Sequence, residues 1–174
     1  MKKILLTIVL IATCFMCFSD DRVKGKYKFK IPPGVKLKVD GNDKDGWAYY
    51  FEWDNTYLSM FECIPRKGAP GLKEDEISSY IDDLEKDLKN NKFGETFNKE
   101  KVKLGLFSGY GLLLIYKNIL GNHNKLICML WDGKRIWSMN IWTHSKDNIE
   151  KVKGNVKKAK DIIKSARLNK LYNK

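Results

Sequence analysis

Few side chains in this 174-residue chain carry the chemistry for catalysis or metal binding. Of its four cysteines, Cys14 and Cys17 lie in an apolar N-terminal run, which leaves Cys63 and Cys128 beside the two histidines, His123 and His144. Neither H-E-x-x-H nor a cysteine–histidine zinc spacing occurs, so no metal ligand is assigned. A Cys–His nucleophile pair would have to bring Cys63 or Cys128 to His144, and no local motif points to one. Gly105, Gly109 and Gly111 spell neither a phosphate loop nor a dinucleotide fingerprint, and Ser108 falls one place late for G-x-S-x-G. The expectation is a protein without catalytic residues and without a cofactor. Asp40, Asp43 and Asp45 lack the spacing and the terminal Glu of a calcium loop and read as a turn. Cys63 and Cys128 each fall inside a strand-like run. In an oxidising compartment they are candidates for a disulfide, which on the chain-entropy argument stabilises by about 4 kcal/mol. The alternative is two reduced, buried, small apolar side chains.

What remains is binding. The formal net charge is +12, and the stretch from Lys146 to Lys174 has ten Lys/Arg against Asp147, Glu150 and Asp161. Lys151, Lys153, Lys157, Lys158, Lys160 and Lys164 make that stretch a candidate contact for an anionic surface; a solvated helix face is the plainer alternative. Only Arg22, Arg66, Arg135 and Arg167 are arginine, the residue suited to bidentate phosphate recognition, so nucleic acid is not the expected partner. Trp47, Tyr49, Phe51 and Trp53 share one strand face and form a second candidate contact surface, unless they are core.

The first nineteen residues set the compartment. Lys2-Lys3 precedes an apolar run from Ile4 to Phe18, shorter than the ~20 residues of a spanning helix, and reads as an export signal. Cys17 and Ser19 suit an ordinary cut before Asp20. Ile11-Ala12-Thr13-Cys14 instead approximates a lipobox, with Cys14 as the lipidated residue of a membrane-anchored protein. Residues 20–174 are then one domain, since the length suffices for a single core and no linker or repeat interrupts it.

The elements that must position these residues follow from periodicity. Leu126–Trp131 and Lys134–Trp142 are apolar runs separated by Asp132-Gly133, a strong hairpin signal. A two-residue turn puts Leu126, Cys128 and Leu130 on the face of Trp137, Met139 and Ile141. Trp47–Trp53 and Thr56–Ile64 form a second hairpin around Asp54-Asn55, with Leu58 and Met60 beside the aromatics. Tyr27, Phe29 and Ile31 alternate with lysines as a half-buried strand, and Val35, Leu37 and Val39 do so again. Leu72 to Asn91 reads as a helix with the stripe Ile77, Ile81, Leu84 and Leu88, and Glu74 to Glu76 in its first turn. Leu104 to Tyr116 reads as one strand buried on both faces, with Gly121-Asn122-His123-Asn124 turning it into the next. Ile149, Val152, Val156, Ala159, Ile163 and Ala166 lay the stripe of a closing helix, with Ser145 as its N-cap.

This layout resembles the PsbP-like family of secreted α/β domains. The features that carry the resemblance are the opening Tyr27-Lys28-Phe29-Lys30-Ile31-Pro32-Pro33-Gly34, a hairpin, a helix, a strand meander with Ile136, Trp137, Ile141 and Trp142, and a closing helix ending Ile162-Ile163-Lys164-Ser165-Ala166. The resemblance spans roughly residues 26–168 and is one of layout, not of diagnostic motif. It implies an α+β fold: a mostly antiparallel sheet of about five to seven strands with two main helices packed against it. It also implies a non-enzymatic accessory protein or a bacterial lipoprotein. It supplies no catalytic residues. The leader and the basic closing helix add the expectation of an envelope protein or an anionic surface as partner.

Overall fold

The computed structural model describes residues 25–64, 72–90, 96–118, 121–143 and 149–170. The expected leader, its cut before Asp20, Cys14, Ser145 and His144 lie outside the described residues, as does the side chain of His123.

Among the described residues, nine strands and two α-helices follow one another. They are β1 (Tyr27–Lys28), β2 (Lys36–Asn42), β3 (Gly46–Trp53), β4 (Thr56–Glu62), α1 (Ile77–Asn90, entered through a 3-10 turn at Glu74–Glu76), β5 (Thr96–Leu104), β6 (Phe107–Asn118), β7 (Gly121–Trp131), β8 (Ile136–Thr143), α2 (Ile149–Lys164) and β9 (Arg167–Leu168). Seven of the strands form one antiparallel sheet in the order β2-β3-β4-β8-β7-β6-β5, and β1 pairs with β9 in a separate ribbon. Two meanders therefore meet in the middle. The chain runs inward from β2 to β4, crosses through α1 to the far edge, and returns from β5 to β8, which closes on β4. The sheet edges β2 and β5 carry exposed Lys36, Lys38, Lys101 and Lys103, charges that discourage edge-to-edge pairing.

Period-two alternation on these strands sends one parity to each face. Trp47, Tyr49, Phe51 and Trp53 on β3, Leu58 and Met60 on β4, and Leu126, Cys128, Leu130, Trp137, Met139 and Ile141 on β7 and β8 form one buried layer with Tyr27, Phe29, Phe107 and the Ala159, Ile162, Ile163 stripe of α2. The rings meet edge to face, Phe29 against Phe51 at 5.2 Å and Tyr27 against Trp137 at 5.3 Å, the arrangement that aromatic quadrupoles favour. On the opposite face α1 lays Ile77 and Ile81 on Leu112, Met129 and Ile136, with Leu84 and Leu88 partly covered. The molecule is thus three layers, with α1 on one side and α2 with the β1–β9 ribbon on the other.

The turns differ from expectation in instructive ways. Asp54 and Asn55 both take positive φ (42° and 57°), and Trp53 pairs with Thr56, so this hairpin has the expected two-residue turn. The β7–β8 turn is longer than expected: Trp131 pairs with Ile136, leaving Asp132 to Arg135 in the loop. The Asp132 carboxylate accepts the N–H groups of Lys134 and Arg135, each at 2.8 Å, and so holds the wider loop closed. Because the register moved by two residues, every side chain kept its expected face. Leu104 to Tyr116 is not one strand. Gly105-Leu106 is a turn, with Gly105 at φ 63° and Leu104 paired with Phe107. Gly121 to Asn124 does not turn the chain but belongs to β7, with Gly121 opposite Asn118. The expected first strand shrinks to Tyr27–Lys28.

Candidate functional site

Two places gather polar groups. The first is the carboxylate of Asp132, whose side chain is 2% exposed. Its Oδ1 takes the two loop amides, and its Oδ2 accepts the Trp137 Nε1–H at 2.8 Å and the Tyr27 hydroxyl, with the Lys26 ammonium 3.8 Å away. Lys26 also lies 5.7 Å from the Trp137 ring centroid. Burial pushes the Asp132 carboxyl upward, but the Tyr27, Trp137 and loop N–H bonds outweigh it and hold the group below the ordinary carboxylate range. Burial, with the hydrogen bond to Asp132, holds the Tyr27 phenol above its ordinary value. A carboxylate whose lone pairs are all engaged and a phenol locked as donor are poor acids and bases. This cluster fastens β1 to the β7–β8 loop. Beside it, Arg135 forms an ion pair with the buried Glu62, whose Oε2 accepts the Trp47 amide at 3.3 Å.

The second place is the basic edge of α2. Lys153, Lys157, Lys160 and Lys164 recur at helical spacing along the edge that faces β5 and β6, and Lys103 stands across from them. Between them runs a groove of about 570 Å³ lined by Leu104, Leu113, Val152 and Val156, with Asp161 the one acid among its described lining residues. Lys160 reaches Glu100 of β5 at 2.6 Å. The other two candidate lysines leave this edge: Lys151 is exposed, and Lys158 stacks 5.3 Å from the Trp53 ring centroid. On that flank Lys30, Lys157 and Lys158 line a smaller hollow of about 340 Å³. The six lysines therefore do not act as one patch; four of them share the groove's rim.

Of the two readings of Trp47, Tyr49, Phe51 and Trp53, contact surface or core, the structure shows core: all four are at most 5% exposed. The exposed aromatics among the described residues of the sheet are of the opposite parity, Tyr50, Tyr57, Phe61 and Trp142, on the half of the sheet that α1 does not cover. Tyr57 stands directly opposite Trp142 across β4 and β8. Alternation reports a shared face but not which face is outward, and Tyr50-Phe51 places aromatics on both.

The candidate disulfide does not form: Cys63 and Cys128 are free, which is the reduced alternative. Cys128 pairs in register with Met139 and lies in the α2-side layer, whereas Cys63 follows Glu62 at Ile136 and packs in the α1-side layer. The sheet separates them. Burial raises both thiols, that of Cys128 to about 12, so neither is a ready nucleophile. Thr56 and Thr143, opposite each other on β4 and β8, and the Asn155 amide nitrogen are buried without hydrogen-bond partners among the described residues.

Among the described residues no three His, Cys, Asp or Glu side chains converge as metal ligands, and no helix is long and apolar enough to cross a membrane. Fold and geometry together define a class: a three-layer α+β domain with a lysine-rimmed apolar groove between its closing helix and one sheet edge. No protein-family model and no curated protein matches the sequence. Among solved structures the chain is similar to a crystal structure from Bacteroides thetaiotaomicron at 13% identity and a TM-score of 0.45, with 83% of this chain covered. The match takes in 46% of that chain, so this protein corresponds to about half its length.

Proposed function

We propose that the protein is an exported accessory module of the cell envelope, PsbP-like in kind and without catalytic activity, that adsorbs to an anionic surface through α2. The observation that carries this reading is the edge of α2, where Lys153, Lys157, Lys160 and Lys164 line a groove with Lys103, and Asp161 is the one acid among its described lining residues. Lysines on flexible stems attract a diffuse anionic surface without demanding bidentate geometry, which suits lipid headgroups or an envelope polymer better than one phosphate. Export is supported by the leader-like first nineteen residues. With Cys14 lipidated, α2 becomes a second contact with the same membrane; the mass of the chain recovered from cells distinguishes that form from one beginning at Asp20.

The test is sedimentation of the purified protein with phosphatidylglycerol and with phosphatidylcholine vesicles. Binding is expected to the anionic vesicles only, falling steeply with added salt. The double substitution K153Q/K157Q should weaken it by about thirtyfold, at roughly 1 kcal/mol per lysine. Absence of binding at low salt removes the proposal.

A further inference from the structure

We infer that the groove between α2 and the β5–β6 edge is a binding site for a single-chain fatty acid anion. The inference rests on the surface reading above and deepens it, because the same lysines that face an anionic surface would hold one of its constituents.

Three observations point to this occupant. The floor is apolar: Leu113 and Val156 are only partly buried and pack against the layer to which the buried Leu104 belongs, with the buried Val152 beside them in the lining. One helix forms one wall and a sheet edge the other, and the volume of about 570 Å³ falls within the ~300–1,000 Å³ of small-molecule sites. The rim is cationic. Lys153, Lys157, Lys160 and Lys164 follow at intervals of four, three and four, so they form one row beside the apolar floor and not a ring around the helix.

Each of those lysines has a butyl stem that extends an apolar wall and an ammonium that stops at the rim. An aliphatic chain along Leu113 and Val156 therefore ends with its carboxylate among ammonium groups. A neutral chain gains only the floor, and a short anion gains only the rim. Glu100 holds Lys160 at 2.6 Å and Asp161 stands on the rim, so the carboxylate meets the lysine row as a whole and not the Lys160 ammonium alone.

Methyl-resolved NMR titration of the full chain with decanoate, below its critical micelle concentration, tests this. Decanoate should shift the methyl resonances of Leu113, Val152 and Val156. Decanol should bind at least about fivefold more weakly, and acetate should leave those methyls unmoved. V156Q should weaken decanoate at least about fivefold while salt-dependent vesicle adsorption persists, because it removes floor and no charge. K153Q/K157Q should weaken both. Decanoate that leaves the three methyls in place, or shifts them no more than acetate does, overturns the inference. Vesicle adsorption surviving that result leaves the surface reading intact, whereas decanoate binding without vesicle adsorption retains the groove and removes the surface. If V156Q fails to fold, L113N replaces it, since Leu113 is also only partly buried.

Discussion

At Asp132 one side chain joins three parts of the chain: the β7–β8 loop, the Trp137 indole and Tyr27 of the N-terminal ribbon. Removing its charge should therefore cost more than a loop substitution usually does. In D132N an amide N–H faces the Trp137 N–H in one orientation, or the two loop amides in the other, so a donor loses its acceptor either way. The expected loss is about 1–3 kcal/mol at pH 7, measured by urea denaturation. The pH dependence has a definite sign. The carboxyl is held below its ordinary value, so its contribution is complete above the unfolded-state pKa of about 3.9 and is lost as pH falls through the lower folded value. The gap between the native protein and D132N should narrow below about pH 4. A gap that stays constant from neutral pH into that acid range would show that Asp132 acts through shape alone.

At the scale of elements, the two hairpins read from Asp54-Asn55 and Asp132-Gly133 are both present, as are both helix stripes, because each rests on a pattern local to its own segment. The length of the second turn was not legible: Asp132 caps the loop with its side chain, and that competes with the two-residue turn. The turn at Gly105-Leu106 was hidden by the neighbouring glycines, which serve a different end. A Cβ on Gly109 would fall 2.0 Å from the Met129 carbonyl oxygen of β7, a matter of cross-strand approach and not of turning. The lysines of α2 could be read from helical spacing. Lys103 and Leu113 could not be assigned to the same groove, because only the α1 crossover brings β5 and β6 beside α2. Gly105 ties these pieces together: it takes φ 63°, and a Cβ there would lie 2.5 Å from the Lys164 carbonyl oxygen at the end of α2. G105A should lose about 1–3 kcal/mol. G133A, at φ 93° but with open space around it, should lose only about 1 kcal/mol from backbone conformation. Equal losses in denaturation would mean that Gly105 serves the turn and not the approach of α2.

For the whole molecule, the same excess of lysine acts on two equilibria with opposite signs. A net charge of +12 repels itself in the compact state, with lysines on both sheet edges and along α2. Local pairs offset part of this: Lys160 with Glu100 and Lys99 with Asp82, both at 2.6 Å, and Lys89 with Glu85 at 2.5 Å. Exposed pairs of this kind contribute at most about 1 kcal/mol each, and salt weakens them too. Because positive groups far outnumber negative ones, screening should relieve more repulsion than attraction. Raising NaCl from ~0.02 to ~0.5 M shortens the Debye length to a few ångströms. That change should stabilise the fold by roughly 1 kcal/mol, a rise in Tm of about 2–4 °C for a domain of this size. The same increase in salt should release the protein from anionic vesicles. Parallel thermal and sedimentation titrations over one salt series read both effects, and they should cross: stability rising as adsorption falls. A Tm that drops with salt would mean that attraction within ion pairs outweighs the net repulsion. The lysines would then serve the fold first, and K153Q/K157Q, which leaves all three pairs intact, should not raise Tm at low salt.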